Sequence, residues 1–224
     1  MKKVRLDQRV FELGFTESRE RAKTTVMSGI VFVNGQRADK PGMPVDPDAD
    51  IEVRGVALPF VSRGGFKLDK ALKVFPIDPA GKTCIDCGAS TGGFTDVLLQ
   101  HGAAKVYAVD VGYGQLAWKL RNDERVINLE RTNLRYVTEE QIPELLDIAV
   151  MDVSFISVKL VLPAVQRLLK PDADIVCLIK PQFEAGREEV GKKGVVRDSA
   201  VHKEVIRSVL DFAPGIGLTP VGLD

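Results

Sequence analysis

Three charged side chains stand where the pattern of an apolar core would not place them. Asp152 ends the apolar run 148–152, Lys180 ends the run 175–180, and Lys67 follows the glycines of segment 62–66. The carboxyl ends of parallel strands meet at one rim of a sheet, so Asp152 and Lys180 should face the same crevice. A single charge at a strand end most often only reaches solvent, but two of them on neighbouring strands indicate a site.

An acid between two lysines suits the transfer of a group to an alcohol oxygen. A lysine can accept the proton of an alcohol if burial or a second cation lowers its pKa. Lys67 would supply that second cation beside Lys180, and Asp152 would orient the pair. A methyl group on a sulfonium is electrophilic enough to be transferred without a metal, provided that oxygen, methyl and sulfur are held in line. We therefore predict metal-free methyl transfer, with Lys67, Asp152 and Lys180 as catalytic residues.

A glycine-rich turn between a strand and a helix is the expected place for the methyl donor. Residues 86–94 read DCGASTGGF, and glycines let a ligand approach the backbone closely. The spacing is neither the dinucleotide pattern G-x-G-x-x-G nor a phosphate-binding P-loop. A loop without a pyrophosphate to hold fits S-adenosylmethionine, for which we predict contacts with Asp86, Gly88, Ser90, Gly92, Gly93 and Phe94.

Asp110 ends the next strand of the pattern. An acid at that point, roughly 20 residues past the loop, commonly grips the hydroxyl groups of a ribose. Taken alone, Asp86 or Asp110 would be interpreted as a turn acid that caps the following helix. The loop, the second acid and the alternation of elements together favour a nucleoside cofactor, with Asp110 as a further contact.

The elements that must position these residues alternate from residue 66 onward. Strands are predicted at 83–87, 106–110, 126–129, 148–152 and 175–179. Helices are predicted at 67–74, 94–101, 116–121, 156–169 and 200–212. Strands that alternate with helices indicate an α/β domain with a parallel, doubly wound sheet.

The first 60 residues follow a different pattern. An amphipathic helix at 4–15 precedes a second helix that Ser18 caps, then a strand at 30–33, the hairpin turn Asn34-Gly35 and a strand at 51–53. We therefore predict a small α+β domain at 1–60, a linker at 61–65 and the α/β domain at 66–224.

Composition excludes some classes of protein and leaves others open. Lys and Arg together number 31, and so do Asp and Glu, so net charge by itself indicates no partner. The pair Cys84 and Cys87 could be a redox or metal pair, but its apolar surroundings favour two buried small residues. Neither a signal peptide nor an apolar run of membrane-spanning length is recognisable, so we expect a cytoplasmic protein without membrane contact.

The motifs together resemble the TlyA family, whose members are known as hemolysins and as ribosomal-RNA methyltransferases. The resemblance covers essentially the whole chain. Segments 5–7, 18–22 and 29–35 resemble the small RNA-binding domain of a ribosomal small-subunit protein, also called the alpha-L motif. Segments 62–68, 86–94, 152–155 and 179–183 resemble the FtsJ-type ribose methyltransferase domain, which has the class I, Rossmann-like fold.

The resemblance implies 2′-O-methylation of cytidine in ribosomal RNA by a Lys-Asp-Lys-Glu set. Lys67, Asp152 and Lys180 match its first three members. The family's glutamate follows the final strands of the sheet, and no residue here matches it, so the methyltransferase domain is expected to be incomplete at its C-terminus. Ribosomal RNA or ribosomal subunits are the implied partners, and the candidates for RNA contact are Arg5, Arg19, Arg21 and Lys23.

Three other functions stay open at this point. The family's second label suggests a membrane-active hemolysin, although the chain offers neither a spanning segment nor a strongly basic amphipathic helix. A non-catalytic protein that binds RNA or S-adenosylmethionine would fit the missing glutamate. A small-molecule methyltransferase is a third possibility, which the N-terminal domain argues against.

Overall fold

The computed structural model describes residues 3–55, 59–191 and 194–224 of the chain. These residues divide into two compact units, Met1–Gly65 and Phe66–Asp224. Each unit has its own apolar core and is described by itself.

The first unit combines two helices with short antiparallel strands. Its elements are β1 (Val4–Arg5), α1 (Leu6–Glu12), α2 (Arg19–Met27), β2 (Val31–Val33), β3 (Gln36–Ala38), β4 (Pro44–Val45) and β5 (Ile51–Val53). Three strands form a sheet in the order β3-β2-β5, and β1 pairs with β4. The buried core between helices and sheet consists of Leu6, Val10, Ala22, Val26, Val31, Ala38, Val45 and Ile51.

Local signals account for most of this unit. Ser18 caps α2, because its side chain accepts a hydrogen bond from the backbone N–H of Arg21 at 3.1 Å. Asn34 and Gly35 both have positive φ, 50° and 75°, as a two-residue hairpin turn between β2 and β3 requires. Strands β1, β3 and β4 escaped the sequence analysis, since they are two or three residues long and show no alternation.

The second unit is an α/β layer structure. Its strands are β6 (Thr83–Cys87), β7 (Lys105–Val109), β8 (Val126–Leu129), β9 (Leu146–Met151) and β10 (Leu169–Cys177). Its helices are α3 (Gly65–Val74), α4 (Gly93–Gln100), α5 (Trp118–Arg121), α6 (Leu162–Gln166), α7 (Pro181–Glu184) and α8 (Ser199–Phe212). Short 3-10 turns lie at Leu134–Tyr136, Val158–Leu160, Arg187–Glu189 and Ala213–Ile216.

The sheet of the second unit confirms the predicted fold class. All neighbouring strands are parallel, in the order β10-β9-β6-β7-β8. The chain starts at the central strand β6, builds outward to β8, and then crosses to β9 on the other side of β6. Ligands of such sheets bind at the carboxyl ends of the two strands where the order reverses, here β6 and β9.

Three predicted elements differ clearly from the structure. The helix predicted at 4–15 is shorter, because Val4–Arg5 form β1 and α1 spans Leu6–Glu12. The helix predicted at 156–169 is broken into a 3-10 turn and the short α6, which carries a proline in its first turn. A proline lacks the N–H and its ring clashes with the preceding turn, so one continuous helix cannot form there. The strand predicted at 175–179 begins earlier and ends at Cys177, with a shift of register between Leu169 and Asp174. Pro171 is tolerated because β10 is an edge strand in the described part of the sheet.

Burial follows the alternation of strands and helices. Cys84 and Cys87 are both fully buried on β6, and burial raises the pKa of the Cys84 thiol to about 12. Thiols in this state behave as small apolar residues. Within the described ranges, no helix combines the length and apolar character that crossing a membrane requires.

Candidate active site

The structure brings the three predicted catalytic residues together. The ammonium Nζ of Lys67 donates to Oδ2 of Asp152 at 2.8 Å, and Lys180 forms an ion pair with Oδ1 of the same carboxylate. One acid is thus held between two lysines that come from different elements. We call Lys67, Asp152 and Lys180 the Lys–Asp–Lys set.

Asp152 and Lys180 are the more buried members of the set. Their side chains are 19% and 16% exposed, whereas Lys67 is 48% exposed. Burial alone would raise the pKa of Asp152, but the hydrogen bonds from Lys180 and Lys67 outweigh burial and lower it below its usual range. Asp152 is therefore a carboxylate at neutral pH and can orient both cations.

Strand pairing positions Asp152 at the reversal of strand order. Met151, the last residue of β9, lies opposite Cys87, the last residue of β6. The backbone N–H of Asp152 then donates to the carbonyl of Cys87 at 3.1 Å. The carboxylate consequently emerges at the crevice where the topology places a ligand.

Lys180 reaches Asp152 from beyond the end of its strand. It precedes α7 with an extended backbone, since Pro181 begins that helix. Its Nζ donates to Oγ of Ser154 at 2.8 Å and to the backbone carbonyl of Asp152 at 3.3 Å. Three acceptors on one segment thus hold the ammonium group in place.

The glycine-rich turn, residues 88–93, adjoins this set, and we call it the glycine loop. Gly88 has φ +85°, and a Cβ added there would lie 3.1 Å from the backbone oxygen of Asp152. Ser90 has φ +49° without being a glycine, a backbone state that surroundings must enforce. The missing side chain of Gly88 therefore lets the glycine loop pack against the backbone of Asp152, and the loop continues through a left-handed residue at Ser90.

The later residues of the predicted cofactor segment begin α4. Gly92 precedes the helix with φ +90°, and a Cβ there would overlap the side chain of Leu120. Packing thus gives Gly92 a reason of its own to be glycine, independent of any ligand. Gly93 starts the helix, and Phe94 is buried at 5% exposure. Contacts of Gly92, Gly93 and Phe94 with a cofactor stay predictions.

Asp86 holds the start of the helix that follows it and keeps one carboxylate oxygen without a partner among the described residues. Its Oδ2 accepts hydrogen bonds from the backbone N–H of Thr95 at 2.8 Å and from the Thr95 hydroxyl at 2.7 Å, which ties β6 to the first turn of α4. Its Oδ1 is buried without a hydrogen-bond partner among the described residues. Burial raises the pKa of Asp86 to about 7, although the bonds from Thr95 lower it. An unpartnered buried oxygen is costly and therefore suits a donor that arrives with a ligand.

Asp110 lies one residue beyond β7 and holds the rim of the crevice. Its Oδ2 accepts from the backbone N–H of Ser90 at 2.8 Å, and its Oδ1 accepts from the backbone N–H of Gly112 at 2.7 Å. Each carboxylate oxygen has a second acceptor site left. The side chain thereby links the glycine loop to the segment after β7 and can still receive two hydroxyl groups.

These residues fit S-adenosylmethionine. The unpartnered Oδ1 of Asp86 suits its ammonium group, and Asp110 suits the hydroxyl groups of its ribose. The Lys–Asp–Lys set lies next to Gly88, where the reactive methyl group would have to be.

Phe155 is a candidate site residue that the sequence did not single out, although its segment, 152–155, was part of the family resemblance. Its side chain is 91% exposed, and its φ is +64°. Its ring lies 5.1 Å, centre to centre, from that of Phe183, whose ring centre is 5.8 Å from Nζ of Lys180. A large apolar ring held in a disfavoured backbone state at full exposure indicates a binding role. Only the conformation reveals it, because a phenylalanine in an apolar segment is ordinarily buried.

Glu184 does not supply the fourth member of a Lys-Asp-Lys-Glu set. Its carboxylate accepts from the Ser157 hydroxyl at 2.6 Å and from the backbone N–H of Val158 at 2.7 Å. It therefore caps the 3-10 turn that begins there.

In the first unit, the candidate RNA-contacting residues form two groups. Asp7 is fully buried, receives hydrogen bonds from the guanidinium of Arg5 at 3.0 and 2.8 Å, and lies 3.7 Å from that of Arg19. On α2, Lys23 pairs with Glu20 at 2.9 Å. Since a helix turns about 100° per residue, Arg19 and Lys23 share a face of α2 and Arg21 lies roughly opposite.

Comparison with known families matches two consecutive parts of the chain to two different families. Residues 60–218 match the FtsJ-like methyltransferase family, and residues 4–51 match the S4 domain family. The methyltransferase match includes the whole Lys–Asp–Lys set and the glycine loop.

Full-length relatives carry both domains in one chain. The Bacillus subtilis protein YqxC, provisionally named as an rRNA methyltransferase, is 53% identical over 99% of this chain and 79% of its own. The Mycobacterium tuberculosis protein TlyA, named as a 16S/23S rRNA (cytidine-2′-O)-methyltransferase, is 47% identical over 99% of this chain and 83% of its own. A solved Streptococcus thermophilus structure, provisionally described as a hemolysin, is 49% identical with a TM-score of 0.74, covering 97% of this chain and 80% of that one. The chain therefore belongs to the TlyA family, in which an S4 domain precedes an FtsJ-like methyltransferase domain.

Proposed function

We propose that this protein transfers a methyl group from S-adenosylmethionine to the 2′-hydroxyl of a cytidine in ribosomal RNA. The observation that carries the proposal is the Lys–Asp–Lys set beside the glycine loop. The activity named for the M. tuberculosis relative, at 47% identity over 99% of this chain, supports the same substrate and reaction.

The charges of the set suit removal of a proton from an alcohol. Two ammonium groups share the single carboxylate of Asp152, which leaves the set with an excess of one positive charge. When one lysine is neutral, the other still forms a balanced ion pair with Asp152. We assign the acceptor hydroxyl to Lys180, whose Nζ is held by Ser154 at 2.8 Å, and the lasting ion pair with Asp152 to Lys67. Lys180 then accepts the proton of the ribose hydroxyl at its Nζ.

The remaining residues hold the reactants rather than react. S-adenosylmethionine, when bound, supplies an electrophilic methyl group on a sulfonium. Asp86 and Asp110 orient its two ends, and the glycine loop allows the close approach of its centre. Holding the acceptor oxygen in line with that methyl group accounts for most of the expected rate, since proximity and orientation can contribute several orders of magnitude.

Phe155 is placed to hold the acceptor nucleotide. RNA-modifying proteins commonly stack unpaired bases on exposed aromatic rings, and such a contact contributes about 1–3 kcal/mol per base. The Phe183 ring lies 5.1 Å away, centre to centre, and is tilted by 50°, and Phe155 is 91% exposed. We assign the exposed ring of Phe155 to the cytosine base.

The S4 domain supplies a second contact with RNA in this proposal. Structured RNA is recognised largely through its shape and backbone, which favours arginine and lysine over side chains that read bases. Arg5 and Arg19, fixed by the buried Asp7, are the strongest candidates, followed by Lys23 and Arg21. The cytoplasm is the compartment in which this substrate occurs.

The test is methylation of ribosomal RNA by the purified chain. Ribosomal subunits are incubated with S-adenosylmethionine carrying a labelled methyl group, and the product is mapped by mass spectrometry of RNA fragments. We expect label on the ribose of a cytidine, which makes the adjacent phosphodiester resistant to alkali. Label on a base, or on no RNA at all, would overturn the proposal.

Two lysine variants test whether the activity depends on the site: Lys180→Ala within it and Lys170→Ala as the control. Lys180→Ala should abolish methylation while the affinity for S-adenosylhomocysteine stays within about twofold, since Lys180 acts on the acceptor. Lys170→Ala removes an exposed lysine that pairs with Asp147 at 2.7 Å near the other end of the strand and should keep wild-type activity. Leakage of dye from liposomes, tested with the same protein, would instead support the hemolysin description given to the Streptococcus structure.

A further inference from the structure

The segment after β7 forms part of the cofactor site but has little apolar anchoring of its own. We call residues 111–117 the rim loop. Val111 and Tyr113 are 70% and 68% exposed, and Gly114 has φ +71°. Leu116 is buried at 4% exposure. A seven-residue loop with such exposed side chains needs polar contacts to keep one conformation, because ordering each residue costs roughly 1–2 kcal/mol.

An ion pair at the end of β8 provides those contacts. Arg121 pairs with Glu130, and their side chains are 26% and 10% exposed. The carboxylate of Glu130 accepts from the backbone N–H of Gln115 at 3.2 Å, and Nε of Arg121 donates to the backbone carbonyl of Leu116 at 2.9 Å. The two partners of one ion pair thus hold two consecutive residues of the rim loop.

The electrostatics of the pair favour its persistence. Burial alone would raise the pKa of Glu130, but the hydrogen bond and the charge of Arg121, together with weaker hydrogen bonds from Asn128 and Gly114, lower it below its usual value. Glu130 is therefore charged at neutral pH. Removing Arg121 would leave a largely buried carboxylate without its countercharge, which is strongly unfavourable.

The rim loop connects the Arg121–Glu130 ion pair to two residues that we assign to the cofactor, Ser90 and Asp110. The side chain of Gln115 accepts a hydrogen bond from the Ser90 hydroxyl at 3.2 Å and packs over Gly112, where an added Cβ would overlap it and lie 3.0 Å from Oδ1 of Asp110. Gln115 therefore connects the ion pair directly to Ser90, and through Gly112, whose backbone N–H donates to Oδ1 of Asp110 at 2.7 Å, to Asp110. These two residues belong to the end of the site that we assign to the nucleoside.

We propose that Arg121 and Glu130 are positioning residues that preorganise the nucleoside end of the S-adenosylmethionine site through the rim loop, an inference that rests on the proposed function. Neither residue touches the cofactor in this proposal. Their effect is to remove the ordering cost that a loose loop would impose on each binding event.

Two probes separate the two ends of the site. S-adenosylhomocysteine carries the nucleoside and the amino-acid part, and 5′-methylthioadenosine carries the nucleoside alone. Calorimetry with Glu130→Gln and with Arg121→Met should show roughly tenfold weaker binding of both probes, the size expected for loss of a charge-assisted contact. Asp86→Asn should weaken S-adenosylhomocysteine only. In the methylation assay, Glu130→Gln should raise KM for S-adenosylmethionine with little change in kcat.

A matched ion pair lies at the other end of the same strand. Arg125 pairs with Asp123 at 2.7 Å and donates to the backbone carbonyl of Leu99 at 3.3 Å, so Arg125→Met removes a similar set of contacts away from the rim. That variant should bind both probes as the wild type does. Thermal unfolding of each variant checks that it folds, and the double variant Arg121→Met/Glu130→Gln should bind no more weakly than either single variant.

The outcomes distinguish the two claims. If the wild type binds neither probe, the use of S-adenosylmethionine fails and the proposed function falls. If the wild type binds both but Glu130→Gln binds them equally well, or loses only S-adenosylhomocysteine, the positioning role is wrong while the proposed function stands.

Discussion

Gly88 lies against the backbone carbonyl of Asp152, so that a methyl group added at Gly88 would be 3.1 Å from that oxygen. The first glycine of the glycine loop and the acid of the Lys–Asp–Lys set are therefore direct neighbours. They meet at this point because β6 and β9 are adjacent and end together.

Replacing Gly88 by alanine tests this contact. The left-handed backbone, with φ +85°, costs a residue with a Cβ about 1–2 kcal/mol, and the crowding against Asp152 adds to that. We expect Gly88→Ala to unfold at lower temperature and to lose both S-adenosylhomocysteine affinity and methylation. Gly81→Ala is the matched control, since Gly81 has φ +70° with open space around its Cβ position. Equal losses of ligand affinity in the two variants would contradict a role for the Gly88 contact.

The affinity for the cofactor should depend on pH through Asp86. Its folded-state pKa, about 7, lies above the usual value of roughly 3.9. Ionised Asp86 is thus disfavoured in the folded chain, and its contribution to the free energy of unfolding falls as pH rises through this range. An ammonium group at Oδ1 favours the ionised form, so S-adenosylhomocysteine should bind more tightly as pH rises from 6 to 8, by up to tenfold per pH unit below the pKa.

Two controls assign this pH dependence. Binding of 5′-methylthioadenosine, which lacks the ammonium group, should change little over the same range. The variant Asp86→Asn should bind S-adenosylhomocysteine with a flat profile. A wild-type profile that is equally flat would remove Asp86 from contact with the ammonium group.

The left-handed backbone at Phe155 should lower the stability of the protein, whereas its ring should strengthen the binding of RNA. Its φ of +64° costs about 1–2 kcal/mol for a residue with a Cβ, which glycine avoids. We therefore expect Phe155→Gly to unfold at higher temperature than Phe155→Ala, whereas both lower kcat/KM for RNA by roughly 5- to 100-fold through loss of base stacking. Unchanged affinity for S-adenosylhomocysteine would confirm that the loss concerns RNA. Full methylation by Phe155→Ala would show that the ring does not hold the base.

Asp7 should strengthen RNA binding although it is negatively charged. It is fully buried beneath Arg5 and Arg19, and fixing both guanidinium groups in advance lowers the entropy lost on binding phosphate. We expect Asp7→Asn to weaken binding to a ribosomal-RNA fragment roughly 3- to 10-fold, by the cost of immobilising one or two long side chains. Simple charge counting predicts the opposite sign. Asp39→Asn, which makes the same change of charge at an exposed position, should bind RNA at least as tightly as the wild type.

Asp7 should also make the free energy of unfolding depend on pH in the acid range. Burial alone would raise the pKa of Asp7, but the hydrogen bond from Arg5 and the contact with Gln8 lower it. Stability from this carboxylate is thus present above its ordinary pKa and is lost as pH falls through the lowered value. The difference in unfolding free energy between wild type and Asp7→Asn should therefore be constant near neutral pH and shrink below about pH 4.

The sequence alone predicted the fold class, which the structure confirms, and named the candidate site residues, because both predictions depend on local order along the chain. Alternating strands and helices require a parallel sheet, and the DCGASTGGF turn together with Asp110 indicates a nucleoside cofactor. Length and composition were poorer guides to short elements such as β3, and to the broken helix around Pro163, where local geometry overrides periodicity.

Only the tertiary structure decided which groups touch. Lys67 and Asp152 are 85 residues apart, and Asp152 and Lys180 are 28 apart, so no local pattern contains their ion pairs. The exposed state of Phe155 and the unpartnered oxygen of Asp86 likewise become visible only in the folded chain. The register between β6 and β9 and the crossing of the chain past β6 set the distances within the Lys–Asp–Lys set, and neither is written in any one segment.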